Sequence, residues 1–258
     1  MKLAIALALL YPLWALYAVR SDTIREIEFR TYSQTPLREI AFHPVDAAAS
    51  AAGIRAAPPQ TIQTHTRTRS APYQFRGAGR LQFFDRQRSM PVGSVRLLRS
   101  SNRWLLIFMN NPHHLENPAR QARYWIYPFD DSNSGLPHNR LVILNLSGTR
   151  LVGLVDNMRV QLSHGASHPL HTQASMRINL WMPSSNGAEL LQALAQTYHF
   201  ERNHRYLLIL FPPVLSGSAD VDARLLSQAR PDTDSAQPTA APLRARSPTA
   251  RGIWPTSE

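Results

Sequence analysis

Short apolar runs bounded by turn-forming residues place the strongest constraint on the fold of this 258-residue chain. The clearest is residues 104–109 (WLLIFM), which lies between an Asn-Arg pair and an Asn-Asn-Pro turn. Six continuous apolar residues are typical of a strand that is covered on both faces. Residues 24–32 and 176–182 instead alternate apolar and polar side chains, as half-buried strands do. The sequence therefore predicts a mostly β fold, an antiparallel β-sandwich of the Ig-like type.

Further strands follow from the same patterns. They are predicted at residues 37–42, 61–69 (an exposed edge), 80–84, 94–98, 123–129, 141–146, 151–155, 158–162 and 206–211. Asp156 and Asn157 tolerate positive φ and predict a two-residue hairpin turn. The Ala-rich stretch 46–59 predicts a linker with one helical turn, since its glycine and prolines keep a helix short. Residues 187–196 have helical spacing, yet the short loop before the last apolar run favours a strand at 194–200, so helix and strand both stay open there.

A faint internal repeat connects two of the apolar runs. Residues 102–109 read NRWLLIFM and residues 204–211 read HRYLLILF, so an Arg, an aromatic residue and Leu-Leu-Ile recur in order. One interpretation is that the β-sandwich region, residues 22–215, consists of two related sandwiches at 22–118 and 119–215. The alternative is coincidence, because buried strands draw on few residue types.

The two ends of the chain differ from its middle. Lys2 precedes the apolar run 3–19 and Arg20 closes it. We expect residues 1–18 to be a secretory signal peptide cleaved after Ala18, and the protein to be periplasmic or extracellular. The alternative is an uncleaved inner-membrane anchor, which would be the chain's contact with the membrane. Residues 216–258 are rich in Ala, Pro, Ser, Thr and Arg, and their composition predicts a disordered tail.

The net charge of +11 is concentrated in the middle of the chain. Ten arginines and a single acidic residue lie between positions 55 and 103. A sheet face carrying Arg67, Arg69, Arg76 and Arg80 would bind an anionic partner, either an envelope protein or an anionic polymer. The alternative is a solvated arginine-rich surface without a ligand. Nucleic acid is not an expected partner, because the basic side chains are 27 Arg and only one Lys, and because export separates the protein from it.

Chemically reactive residues are few. The chain has no cysteine, which removes disulfides and thiolate chemistry. His164, His168 and His171 form a weak candidate metal site, against the alternative of an exposed loop. The pair Asp130–Asp131 predicts a turn whose carboxylates cap backbone N–H groups. Asn145 lies in an Asn-Leu-Ser glycosylation pattern, but a strand end is the favoured interpretation.

Four segments in order carry a family resemblance. They are residues 73–84 (YQFRGAGRLQFF), 94–109 (SVRLLRSSNRWLLIFM), 127–132 (YPFDDS) and 140–148 (RLVILNLSG). Together they resemble a family of exported proteins of uncharacterised function that is common in verrucomicrobial-type bacteria. The resemblance spans about residues 27–211 and implies a β-sandwich behind a signal peptide. It implies no activity.

Taken together, these patterns predict an exported protein of the cell envelope that acts as a non-enzymatic binding or structural module. No cofactor is expected. The alternative is an enzyme acting on envelope polysaccharide or another envelope polymer, because catalytic residues are often scattered along a sequence.

Overall fold

The computed structural model describes residues 23–230, except 38, 88, 99, 119, 185, 186, 188 and 216. The predicted signal peptide, residues 1–18, lies outside the described residues. Residues 231–258 of the predicted tail also lie outside the described residues. Within the described part, strands dominate and the one α-helix has five residues, which confirms the mostly β fold.

The described residues of the first half form eight strands. They are β1 (Arg25–Ser33), β2 (Ile40–Phe42), β3 (Gln60–Ile62), β4 (Tyr73–Gly77), β5 (Arg80–Asp85), β6 (Pro91–Arg96), β7 (Arg103–Asn110) and β8 (Tyr124–Asp130). Helix α1 (Ala47–Ala51) follows β2, and a 3-10 turn (Pro112–His114) follows β7. Strands β4-β1-β7-β8 make sheet I, and strands β3-β2-β5-β6 make sheet II.

In the second half, nine strands lie between residues 140 and 229. They are β9 (Arg140–Asn145), β10 (Leu151–Val155), β11 (Met158–Leu162), β12 (Gly165–Ala166), β13 (Leu170–His171), β14 (Ser175–Pro183), β15 (Leu190–His199), β16 (His204–Phe211) and β17 (Asp222–Ala229). Strands β12-β9-β16-β17 make sheet III, with β13 also paired to β9. Strands β11-β10-β14-β15 make sheet IV.

The two halves have the same strand pairing. In each, the first strand pairs in parallel with the long central strand, β1 with β7 and β9 with β16, and that central strand forms an antiparallel pair with the next strand. The outer sheets also correspond, because β3-β2-β5-β6 and β11-β10-β14-β15 have equivalent orders and all-antiparallel pairing. This correspondence supports the interpretation of two related sandwiches.

The four sheets stack in the order II, I, III, IV. One apolar cluster packs sheet II against sheet I around Phe29, Phe83 and Phe108. A second packs sheet III against sheet IV around Ile143, Ile178 and Leu208. A third, which we call the junction core, packs sheets I and III together. Its buried members are Tyr32, Leu105, Ile107, Phe129, Leu136, Val142, Leu144, Leu146, Leu207, Ile209, Phe211 and Leu226.

The central strands are apolar on both faces because each lies between two cores. On β7, Leu106 and Phe108 face sheet II while Leu105 and Ile107 face sheet III. Alternation along β16 divides its side chains in the same way between the junction core and the core with sheet IV. Burying a side chain of this size contributes about 1.5–3 kcal/mol. The prediction of a strand covered on both faces at residues 104–109 is therefore confirmed.

Local turn chemistry also agrees with the sequence. Asp156 adopts φ of 51° in the β10–β11 hairpin, as predicted from its residue type. Asp46 caps the single turn of α1, since its Oδ1 accepts a hydrogen bond from the Ala49 backbone N–H at 2.8 Å. Pro128 lies on β8, an edge strand of sheet I, where a missing N–H is tolerated.

Several predicted boundaries are wrong. The division between the halves lies after β8 rather than near Pro118, because β8 pairs with β7 along its whole length. The predicted tail starts too early, because β17 occupies Asp222–Ala229 and pairs with β16 over eight residues. The edge strand expected at 61–69 is only the three-residue β3. From Leu190, the ambiguous segment is strand β15. The sheets are also not wholly antiparallel, as the pairs β1–β7 and β9–β16 show.

Candidate functional site

The four arginines predicted to share a sheet face do not do so. Arg76 lies on β4 of sheet I, where its Nε is 3.6 Å from Glu26 Oε1, and Arg80 begins β5 of sheet II. Arg67 is exposed on the segment between β3 and β4. Arg69 is buried, with its side chain 5% exposed, and lies against Asp131. The prediction of one flat sheet face carrying all four arginines is therefore wrong, although Arg80 is exposed at the surface.

Arg80 instead faces another arginine. In the antiparallel pair β5–β6 it lies directly opposite Arg96, and both residues are exposed. Their neighbours Leu81 and Val95 point into the apolar core, so both arginines are on the outer face of sheet II. Directly opposite side chains have Cβ atoms about 4.5–5.5 Å apart, and like charges in that position destabilise a sheet. We call these two residues the Arg80–Arg96 pair.

The three histidines do not converge. His164 and His168 line a cavity of about 390 Å³ beside β11. His171 lines a different cavity, of about 430 Å³. The His164 ring packs against Tyr127 with centroids 5.8 Å apart. Across residues 23–230, in the part that is described, no three His, Cys, Asp or Glu side chains are grouped as metal ligands would be.

Asn145 and Asp130 have structural roles. The Asn145 side chain is fully buried, and its Nδ2 donates to the carbonyl oxygens of Thr149 and Leu162 at 2.8 and 3.0 Å. That amide is at a strand end, as expected, and is closed to a glycan. Asp130 Oδ1 accepts a hydrogen bond from the Ser132 N–H at 3.0 Å, which confirms its predicted role in the turn.

Asp131 differs from its neighbour because it is buried between two arginines at the junction of the halves. Its Oδ1 lies 3.5 Å from Nη2 of Arg69 and 3.5 Å from Nη2 of Arg205, and the three side chains are only 2–5% exposed. Neither contact has hydrogen-bond geometry, so Asp131 Oδ1 is left without a donor. Burial lowers the pKa of both arginines, while the Asp131 charge opposes that shift. We call these three residues the buried ion cluster.

Arg205 is held rigidly by its other hydrogen bonds. Its Nη1 donates to the Asp131 carbonyl oxygen at 2.8 Å, and its Nε donates to Gln228 Oε1 at 3.0 Å. Gln228 lies directly opposite Arg205 in the β16–β17 pair. The guanidinium is thus fixed in orientation by groups from the inter-half linker and from the neighbouring strand.

A cavity of about 160 Å³ opens beside Arg205. We call it the junction pocket, and its lining residues are Arg103, Asn133, His138, Arg205, Gln228, Ala229 and Arg230. Arg103 comes from sheet I, the residues from position 205 onward come from sheet III and its end, and Asn133 and His138 come from the linker between the halves. The pocket therefore exists only because the two halves are packed together.

His138 is the titratable residue with an ordinary pKa near neutrality in this pocket. Its Nδ1 is buried and has no hydrogen-bond partner. Burial lowers the pKa of His138, and the positive charges of Arg205 and Arg230 lower it further. The neutral imidazole is therefore favoured while the pocket contains no anion.

Sequence reasoning did not bring the junction residues Asp131, His138 and Arg205 together. Asp131 and its two arginine partners are more than sixty positions apart, so no local motif joins them. The one available signal was the internal repeat, in which Arg205 stands at the position of Arg103. Both residues line the pocket.

No protein-family model matches the sequence, and no curated protein matches it. The resemblance to an exported verrucomicrobial-type family therefore stays a prediction. Within the described residues, no helix has the length and apolar character needed to cross a membrane.

Proposed function

We propose that this chain is an exported, non-enzymatic binding module of the cell envelope, and that its partner is an anionic polymer. The leader pattern of residues 1–18 supports export to the periplasm or beyond. The observation that carries the binding proposal is the Arg80–Arg96 pair on the outer face of sheet II.

The pair favours an anionic partner for an energetic reason. Two guanidinium groups held directly opposite repel one another, and an anionic group placed between them turns that repulsion into two charge-assisted contacts. Gln82 and Ser94, the next opposite pair on the same face, add neutral hydrogen-bonding groups beside the charges. A repeating acidic polymer presents charges at intervals and suits such an open surface better than a small ligand does.

The binding test uses retention of the exported protein on an immobilised acidic polysaccharide at increasing salt. The double variant Arg80→Gln/Arg96→Gln is expected to elute at lower salt than the unmodified protein, because two polymer contacts are lost. The matched control is Arg159→Gln/Arg177→Gln, which removes the same charge from exposed positions on sheet IV of the other half. Equal loss of retention in both variants would show that net charge alone drives binding and would refute the proposed site.

Export is tested separately. Cell fractionation and N-terminal sequencing are expected to find the protein outside the cytosol and starting at Val19. Recovery of the intact chain from the cytosol would refute export without bearing on the arginine pair.

A further inference from the structure

We propose that the junction pocket binds one small oxyanion group, a carboxylate or a phosphate, between Arg103, Arg205 and Arg230. This site is separate from the Arg80–Arg96 pair, and it takes a single anionic group rather than a polymer.

The charge of the pocket is the first argument. Three arginines line it, and none of its described lining residues is acidic. Among the described residues, two carboxylates lie against arginines of the pocket, and both are shared or paired. Asp131 is shared by Arg69 and Arg205, and Glu28 Oε1 lies 3.4 Å from Arg103 Nε. The positive charge that remains, including that of Arg230, is not neutralised by the residues that line the pocket.

Preorganisation is the second argument. The Arg205 side chain is 2% exposed and its guanidinium is fixed by the Asp131 carbonyl and by Gln228, so it would lose little freedom on binding an anion. Arg205 Nε and Nη2 both donate to Gln228 Oε1, so Arg205 offers the anion its fixed charge and its remaining N–H groups. Arg230 is exposed, and its planar fork matches a carboxylate or a phosphate in geometry as well as charge. His138 Nδ1 has no hydrogen-bond partner, and on protonation both ring nitrogens become donors.

The volume limits the ligand. Pockets for whole small molecules are commonly about 300–1,000 Å³, whereas this one is about 160 Å³. The space therefore suits one anionic group with a few waters. A larger ligand would have to leave its remaining atoms outside the pocket.

The internal repeat is the third argument. Arg103 begins β7 and Arg205 is the second residue of β16, and the two occupy equivalent positions in the sequences NRWLLIFM and HRYLLILF. Each half thus contributes the same arginine to one cavity. The site forms only when the halves pack together, since each half alone supplies only one of the two equivalent arginines, Arg103 and Arg205.

The test is an NMR titration of the His138 imidazole in the full-length mature protein with sodium phosphate and, separately, with sodium acetate. Binding of the preferred anion is expected to shift the His138 resonances saturably and to raise the pKa of His138, because a negative charge then offsets Arg205, Arg230, Arg103 and the neighbouring His204. Saturation by phosphate alone identifies a phosphate site, and saturation by acetate alone identifies a carboxylate site. Saturation by both supports a general oxyanion site. No saturable shift with either anion up to about 10 mM would overturn the proposal, since charge-assisted contacts in a preformed pocket should bind well below that concentration.

Arg230 provides the variant for this test because it is exposed and its loss should leave the fold intact. Arg230→Gln is expected to lower the affinity for the anion at least about tenfold, which is the effect of losing one charge-assisted contact. The control Arg159→Gln, far from the pocket on β11, should leave the affinity unchanged. Equal weakening by both variants, or none by Arg230→Gln, would overturn the site. Neither result bears on polymer retention by the Arg80–Arg96 pair.

Discussion

Removing the charge of Asp131 tests the physical role of the buried ion cluster most directly. In Asp131→Asn the two arginines that flank the carboxylate, Arg69 and Arg205, keep their charges in a site where side chains are only 2–5% exposed. Breaking a buried pair from one side costs about 3–5 kcal/mol. We expect the lower end, about 3 kcal/mol, because both contacts are 3.5 Å long and the bond from Arg205 to the backbone carbonyl of residue 131 survives the substitution.

Thermal unfolding followed by circular dichroism measures this loss. For a chain of this size, about 3 kcal/mol corresponds to a fall in Tm of about 6–12 °C. The matched control is Glu26→Gln, which breaks the exposed ion pair with Arg76 and should cost no more than about 1 kcal/mol. Adding Arg69→Met to Asp131→Asn should recover part of the loss, because one buried charge fewer is left without a partner. If Asp131→Asn lowers Tm no more than Glu26→Gln does, the junction is not held by these charges.

Three further predictions concern the cores, pH and close packing. Leu207→Ala and Leu208→Ala should each lower the free energy of unfolding in urea by about 2–5 kcal/mol, because they remove side chains from opposite cores. A loss below about 1 kcal/mol at either site would contradict the burial of β16 on both faces. Burial lowers the pKa of His138, so the unfolded chain binds more protons than the folded one, and stability should fall as pH decreases through about 6.5. His138→Gln should therefore flatten the dependence of Tm on pH between about 7.5 and 5.5. An unchanged slope would contradict this role of His138. Gly153→Ala should lower the free energy of unfolding by about 1–3 kcal/mol, measured by thermal unfolding, because the new Cβ would collide with the Asn179 carbonyl oxygen. An unchanged Tm would show that the strands of sheet IV can separate there.

The local part of the fold was readable from the sequence because it rests on periodicity and turn chemistry. The continuous apolar run of β7 and the alternation of β14 each placed a strand in the right region. Strand β17 was missed because its Ala, Arg, Leu and Gln residues carry no strand preference, and eight paired positions with β16 impose the conformation. The parallel pair β1–β7 could not be predicted for a similar reason, since nothing local marks a pairing between residues 75 positions apart.

The candidate sites were less predictable than the fold. Arginine content indicated where positive charge would be concentrated, and Arg80 is indeed at the surface. Side-chain direction could not be read, so Arg69 was placed on a solvent face although it lies beneath the surface against Asp131. The junction pocket joins three distant segments, and only the repeated Arg of the two central strands hinted that they meet.

The apolar junction core also limits how the protein can move. Swinging the halves apart would bring Tyr32, Ile107 and Phe211 into water, at about 1.5–3 kcal/mol for each ring or branched chain. A hinge motion that opens and closes the two halves around a ligand is therefore too costly to accompany binding. The proposed anionic partner would therefore meet surfaces whose shape is already fixed, and its affinity should depend on complementary charge and shape rather than on rearrangement.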